Sequence, residues 1–278
     1  FLPKAHADLI ARRSGNANLG VYTQEIPLLT LSAMAPVIRA FATGEGVGYE
    51  HYPEFQAFMS QLADAKHEAV LVSKFLPSIE DGQMAAALAS GIDVCDIGCG
   101  EGVATNLMAA AYPESRFVGV DISQAAIEKA ARAAGNLSLK NIEFIAADAA
   151  CLDHHPAFTA GLDYITAFDA VHDQPHPQAA LRNVLAVLKP GGRFSMVDID
   201  ASSHLSKNAK HPMGAFLYTV SLMHCMPVGL VDGGAGLGMM WGREKAVEML
   251  HAAGFSSVSV LEIPDDPFNL HFYCRKAA

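Results

Sequence analysis

The chain lacks any block of lysine or arginine. It carries 19 Lys and Arg against 29 Asp and Glu, a formal net charge of −10. Neutralising the phosphates of a nucleic acid requires clustered cations, so no nucleic-acid partner is expected. It also lacks a CxxC pair. Its five cysteines (Cys95, Cys99, Cys151, Cys225 and Cys274) are odd in number, which reads as free thiols in a reducing, cytoplasmic compartment. No secretory signal is visible and no apolar run reads as long enough to span a bilayer, so no membrane partner is expected. Charged residues are scarce at 17%, against 51% hydrophobic in 278 residues. That composition supports a large core, in one domain or one domain with an accessory part. The chain opens on Phe1 rather than on a methionine, so a further segment upstream is expected.

Two textures are present. Residues 1–90 carry helical signals and little strand signal: "KAHADLIARRSG", then "TQEIPLLTLSAMAPVIRAF" as a longer helix interrupted or kinked at Pro27 and Pro36, then "FQAFMSQLADAKHEAVLVSKFL". Residues 91–278 alternate short β-branched runs ("IDVCDI", "RFVGVD", "IEFIAA", "DYITAF", "RFSMVDI") with helical stretches, the pattern of βαβ units on a parallel sheet. The end departs from it: "REKAVEMLHAAGF" reads as a helix, and "SVSVLEI" with "FNLHFYCRK" as an antiparallel hairpin.

The first strand runs into "VCDIGCGEG", with glycines at 98, 100 and 102. Glycine there lets backbone approach a ligand closely. The dinucleotide fingerprint is GxGxxG, whereas here Val103 follows a GxGxG and Asp96 stands two residues before the first glycine. A carboxylate in that place suits a cationic ligand better than a pyrophosphate, which disfavours a nicotinamide-dependent oxidoreductase. Asp121 ends the second strand about twenty residues on, the place of an acid that binds a ribose diol. Asp148 ends the third strand in "AADAA".

These motifs, with "AFDAVHD" and "LKPGGRF", resemble the successive motifs of class I S-adenosylmethionine (SAM) dependent methyltransferases. The resemblance implies an α/β, Rossmann-like seven-stranded sheet of order 3-2-1-4-5-7-6, its last strand antiparallel, with helices on both faces and an N-terminal helical region. It implies that Asp96, Gly98 and Gly100 line the methionine end of the cofactor. Asp121 binds the ribose hydroxyls, Ile122 lies against the adenine, Asp148 and Ala149 contact the adenine, and Phe168 faces the sulfonium. S-adenosyl-L-homocysteine is the implied product. The stretch "HPMGAFLYTVSLMHCMPVGLVDGGAGLGMMWG" further resembles a subgroup of bacterial and animal methyltransferases with an N-terminal winged helix, and "FLPKAHADLI" resembles the exit from that domain. On this reading residues 1–90 are a connecting, capping and dimerisation region without the winged helix, and 91–278 the catalytic domain.

Residues 200–242 form a long apolar connection between the fifth strand and the last helix, holding the single tryptophan. Long connections are usually functional, so a cover over the acceptor site is expected, with an oligomer contact as the alternative. His172, past the fourth strand, is the first candidate for a general base, and His224 the second. The bland readings are a capping or surface histidine and a core histidine. Tyr22, Tyr49, Tyr218 and Trp241 are candidate pocket residues. No cysteine or carboxylate completes a metal set around His154, His155, His172 or His176, so no metal is expected. The function expected is methyl transfer to oxygen or nitrogen of a small, apolar or aromatic acceptor by a homodimer; a SAM-binding regulatory or scaffold protein without turnover is the alternative.

Overall fold

The computed structural model describes residues 2–10, 20, 22–52, 58, 66–159 and 161–278, with Leu9 and Tyr22 described as backbone only. Seven strands form one sheet of order β3-β2-β1-β4-β5-β7-β6, as the resemblance implies. They are β1 (Asp93–Ile97), β2 (Arg116–Asp121), β3 (Ile142–Ala146), β4 (Leu162–Phe168), β5 (Leu188–Ile199), β6 (Ser257–Ile263) and β7 (Asp266–Arg275). The first five pair in parallel, and β7 runs antiparallel to both β5 and β6.

Helices cover both faces because successive strand residues point to opposite sides. On β4, Ile165 and Ala167 enter a core shared with α6 (Pro177–Val187) and α9 (Gly242–Ala253), while Tyr164 enters the opposite core with α3 (Gln83–Ser90) and α4 (Val103–Ala111). Helix α5 (Gln124–Asn136) buries Ala126, Ile127, Ala130 and Ala134, an i, i+4 stripe of small residues. Phe194 of β5 is fully buried and stacks on Phe255, ring centroids 5.7 Å apart. Phe194→Ala should lower unfolding stability by about 3–5 kcal/mol, from lost burial and the cavity left. Urea denaturation measures this, and a loss under 1 kcal/mol would contradict it.

The N-terminal region begins with α1 (Lys4–Ile10) and continues as α2 (Tyr22–Thr43). Pro27 and Pro36 do not break α2, which runs through both. The expectation that no apolar run is long enough to cross a bilayer is therefore corrected: by length and composition Thr23–Thr43 is, and 17% of its apolar window is buried. Reading the two prolines as interruptions hid its length. One face, with Leu29, Ala33 and Val37, packs with Val220, Cys225 and Val228 of the 200–242 connection. The other leaves Leu31, Met34, Ile38 and Phe41 exposed.

The connection folds as α7 (Gly214–Val220), a π-turn Ser221–Cys225 and α8 (Met226–Gly229) before α9. It is tied to the N-terminal region by Val47 N–H donating to Pro227 O at 2.9 Å, and to the loop after β4 by Ala235 N–H donating to Pro175 O at 2.9 Å. Gly234 packs so closely on Pro175 that an added Cβ would lie 2.7 Å from its Cα. The glycines thus let this segment approach the loop after β4.

Candidate active site

The turn after β1 places Gly98, Gly100 and Gly102 at φ +66°, +53° and +79°, a left-handed region costly for other residues. An added Cβ on Gly98 would meet Ala170 Cβ at 2.4 Å, whereas one on Gly100 would meet nothing within 4 Å. The loop is thus packed on its inner side and open at Gly100. Gly98→Ala should cost about 1–2 kcal/mol from backbone strain alone and displace the loop from Ala170. Thermal unfolding together with a SAM titration reads both effects; unchanged values in both would contradict the assignment.

Asp121 closes the other side. Its carboxylate accepts hydrogen bonds from Gly100 N–H at 2.9 Å and Ser123 N–H at 2.8 Å. Burial nevertheless pushes its pKa up, against the backbone bonds that favour the anion. Ile122, next to it, is 65% exposed, an apolar side chain placed for a flat apolar ligand. Asp148 is exposed and accepts from Ala150 N–H at 2.8 Å, and Ala149 is buried behind it. These residues gather at the carboxyl ends of β1, β2 and β3, where open α/β sheets bind ligands. The open Gly100, the exposed Ile122 and the paired acids fit an adenosyl group with a cationic tail.

Asp96 lies deeper, 2% exposed, with its two oxygens accepting from Thr105 and Thr166 hydroxyls at 2.7 Å each. Burial pushes its pKa up to about 6; the two hydroxyls oppose this and the Asp121 charge adds to it. Its carboxylate supports the loop and sets its field, rather than lying open in the crevice. A cationic ligand binds best to its ionised form. SAM affinity should therefore be level above pH 7 and weaken as pH falls through about 6, where Asp96 takes up a proton. Calorimetry across that range measures it, and a flat profile would contradict it.

Beyond β4 lies a second cluster. Phe168 ends the strand, with His67 edge-on to its ring at 4.8 Å. Asp169 follows at φ +50° and receives Lys66 Nζ at 3.0 Å. His172 is 2% exposed and its Nδ1 lies 2.8 Å from Oδ1 of the fully buried Asp198, which ends β5. This leaves Nε2 facing Asp173 Oδ1 at 3.4 Å, with the Cys225 thiol also in contact. Burial lowers the pKa of His172, but the Asp198 and Asp173 carboxylates outweigh it and hold it well above the usual value. His172 is thus neither a surface nor a capping histidine.

His224 reaches the same cluster from the connection. It is 1% exposed, its Nδ1 is 3.8 Å from Asp173 Oδ2, and Tyr52 and Tyr49 pack on its ring at 4.8 and 5.7 Å. Burial lowers its pKa to about 4, so it is neutral near pH 7. Tyr52 donates its hydroxyl to Met223 O at 2.7 Å. Burial of its phenol, then the Asp173 and Asp121 charges, raise the pKa of Tyr49.

Two candidate pocket residues lie elsewhere. Tyr218 belongs to a satellite cluster with Ala201, Leu217 and Met240, and its hydroxyl accepts from Asn208 Nδ2 at 2.9 Å. Trp241 is 6% exposed and joins the main core with Ala246, Leu250 and Leu270. It precedes α9, and seating that helix buries its ring. The side chain of Tyr22 lies outside the described residues. The expectation that no cysteine or carboxylate joins the histidines is also corrected, since Cys225 and Asp173 meet His172. Sequence reasoning missed Asp198, Asp173 and the meeting of Cys225 with His172. Asp198 was legible as an acid at a strand end in "FSMVDI", and Asp173 as the neighbour of His172. Nothing in the sequence pairs Cys225 with a residue 53 positions earlier.

Residues 88–254 match a family model described as a methyltransferase domain. The chain is 33% identical over 105 residues to trans-aconitate 2-methyltransferase of Methylobacterium nodulans, covering 38% of this chain and 37% of that protein. It is 29% identical over 110 residues to demethylmenaquinone methyltransferase of Lactococcus lactis, covering 39% and 42%. The chain thus spans about two-fifths of the length of these curated relatives. Among solved structures, human N-acetylserotonin methyltransferase in complex with SAM superposes with a TM-score of 0.66 at 15% identity, over 99% of this chain and 75% of that one. PigF with S-adenosylhomocysteine gives 0.66 at 19% identity, over 99% and 78%. With the domain match covering more than half of its length and the glycine loop and strand-end acids in place, the chain belongs to the class I SAM-dependent methyltransferase family.

Proposed function

We propose that the protein transfers a methyl group from SAM to an oxygen or nitrogen of a small, apolar or aromatic acceptor, with the neutral form of His172 taking the acceptor's proton; because the Asp198 and Asp173 carboxylates hold its pKa well above the usual value, that form and turnover grow as pH rises. Bound SAM would supply a methyl group activated by its sulfonium. Asp121, Ile122, Asp148 and Ala149 would hold the adenosine, and the glycine loop above Asp96 the methionine end. The observation that carries the reading is His172 itself. Its Nδ1 is fixed by Asp198 at 2.8 Å, so its Nε2 faces inward, the arrangement by which a buried carboxylate orients a catalytic imidazole. Its loop abuts the cofactor loop at Ala170 and Gly98. Tyr49, Tyr52 and His224 supply an apolar and aromatic wall that would keep water out, and here the 200–242 connection would act as a cover through His224 rather than through Tyr218 or Trp241. A screen of phenols, alcohols and amines for SAM-dependent methylation tests this. The expected result is turnover of an apolar hydroxyl or amine acceptor; SAM binding with no turnover across the screen would favour a regulatory role.

The net charge of −10 argues against a polyanionic acceptor, and five free cysteines support a cytoplasmic setting. We further propose that residues 1–90 join two copies through the exposed face of α2, where Leu31 is 87%, Ile38 64% and Phe41 70% exposed. An apolar face of this kind ordinarily marks an interaction surface. Light scattering should give a dimer mass; a monomer at high concentration would overturn it.

A further inference from the structure

We propose that His172, Asp173 and Cys225 form a binding site for a thiophilic divalent cation of the zinc class, and that occupancy of this site switches off methyl transfer. Nothing in the family reading requires this site. It rests on donor type, spacing and the shell behind the donors.

The three side chains offer an imidazole nitrogen, a carboxylate oxygen and a thiol sulfur, all within 4.8 Å of one another. This mixed set suits zinc rather than magnesium or calcium, which take oxygen ligands. Zinc–ligand bonds of about 2.0–2.3 Å arranged tetrahedrally set ligand atoms about 3.3–3.8 Å apart. His172 Nε2 and Asp173 Oδ1 stand 3.4 Å apart, the spacing of such an edge. That same Asp173 oxygen is buried and accepts no hydrogen bond. The imidazole facing it is not placed for a full hydrogen bond, so a cation seated between the two would relieve a costly burial.

The shell behind the donors is also that of a metal site. Metal-binding histidines ordinarily donate their second ring nitrogen to a carboxylate, which fixes the tautomer and the ring. His172 does so to Asp198, itself fully buried. His172 and Cys225 are 2% and 4% exposed, so the donors are held by packing. The fourth corner would fall to solvent or to an acceptor atom, as in zinc sites with three protein ligands. On binding, the Cys225 thiol and His172 Nε2 give up their protons to solvent, and the ion takes both lone pairs. The effect on turnover rests on the reading of His172 as base: an occupied Nε2 cannot accept the acceptor's proton. Binding itself does not depend on that reading.

The test is a titration of the full chain with cobalt(II), with zinc as competitor, followed by absorption spectroscopy. The expected result is a thiolate-to-cobalt charge-transfer band with the strong visible bands of a tetrahedral site, both erased by zinc. Cys225→Ser should remove the charge-transfer band, and Asp198→Asn should weaken cobalt binding roughly 10–100-fold. If Cys225→Ser does not fold, Asp173→Ala should weaken binding in the same titration. Absence of the band in the parent chain, or its survival in Cys225→Ser, would overturn the proposal. Calorimetry with S-adenosyl-L-homocysteine in metal-free buffer runs alongside. Failure there would count against the methyltransferase site, whatever cobalt does.

Discussion

Replacing Asp121 by alanine should weaken SAM binding by about 2–4 kcal/mol, roughly 30- to 1,000-fold. The carboxylate stands at the end of β2 and holds Gly100 N–H and Ser123 N–H through separate oxygens. Each oxygen keeps a further lone pair for a ribose hydroxyl, and bonds to a charged acceptor are worth ~1.5–3 kcal/mol each. The alanine variant loses these bonds and also frees Gly100, whose left-handed backbone depends on its neighbours for support. Asp121→Asn keeps the shape and one acceptor oxygen, so its loss should fall between parent and alanine. Calorimetry with SAM reads all three. Unchanged affinity in Asp121→Ala would remove this residue from the cofactor site and, with it, the reading of Ile122 and Gly100 as its neighbours.

Replacing His172 by glutamine should lower kcat by roughly 10²–10⁴, the usual contribution of a positioned general base, while SAM affinity changes little. The separation follows from geometry. His172 lies beyond β4 with Asp198, Asp173 and Cys225, whereas Asp121 and Asp148, proposed to hold the adenosine, stand at the end of β2 and just past β3. Asp198→Asn should also lower kcat, because the amide supports the wrong tautomer of His172. Removing one partner of a buried ion pair is destabilising by about 3–5 kcal/mol, so each variant is compared at equal binding of S-adenosyl-L-homocysteine. A His172→Gln enzyme with parental kcat would hand the role to His224, which is neutral near pH 7.

The sheet was legible because each strand has its own sequence signature. "IDVCDI", "RFVGVD" and "DYITAF" are β-branched runs separated by helices, and their order on the sheet is what the resemblance to class I methyltransferases implied. Asp121 and Ile122 were named from one short contiguous motif, and the structure places them together at the end of β2. The cluster beyond β4 was legible only in part. His172 was found by its place past the fourth strand and His224 by its place in the apolar connection, but the partners of His172 come from other elements, Asp198 from β5 and Cys225 from the connection. Spacing carries no signal for such contacts. Tyr218 and Trp241 show the opposite difficulty. An aromatic beside glycines fits a pocket wall and a helix seat equally well in sequence, and packing decided for the core. Helix α2 was legible as a longer helix, while its passage through Pro27 and Pro36 without interruption was not; Leu29, Ala33 and Val37 pack it there against the 200–242 connection.

The most direct test is a crystal structure of the chain with S-adenosyl-L-homocysteine. The ribose should lie on Asp121 with the adenine against Ile122, and the sulfur should point toward His172 Nε2 within the reach of one intervening water. A homocysteine sulfur directed away from the His172, Asp173 and His224 cluster, with the ligand still seated on Asp121, would contradict the account of methyl transfer.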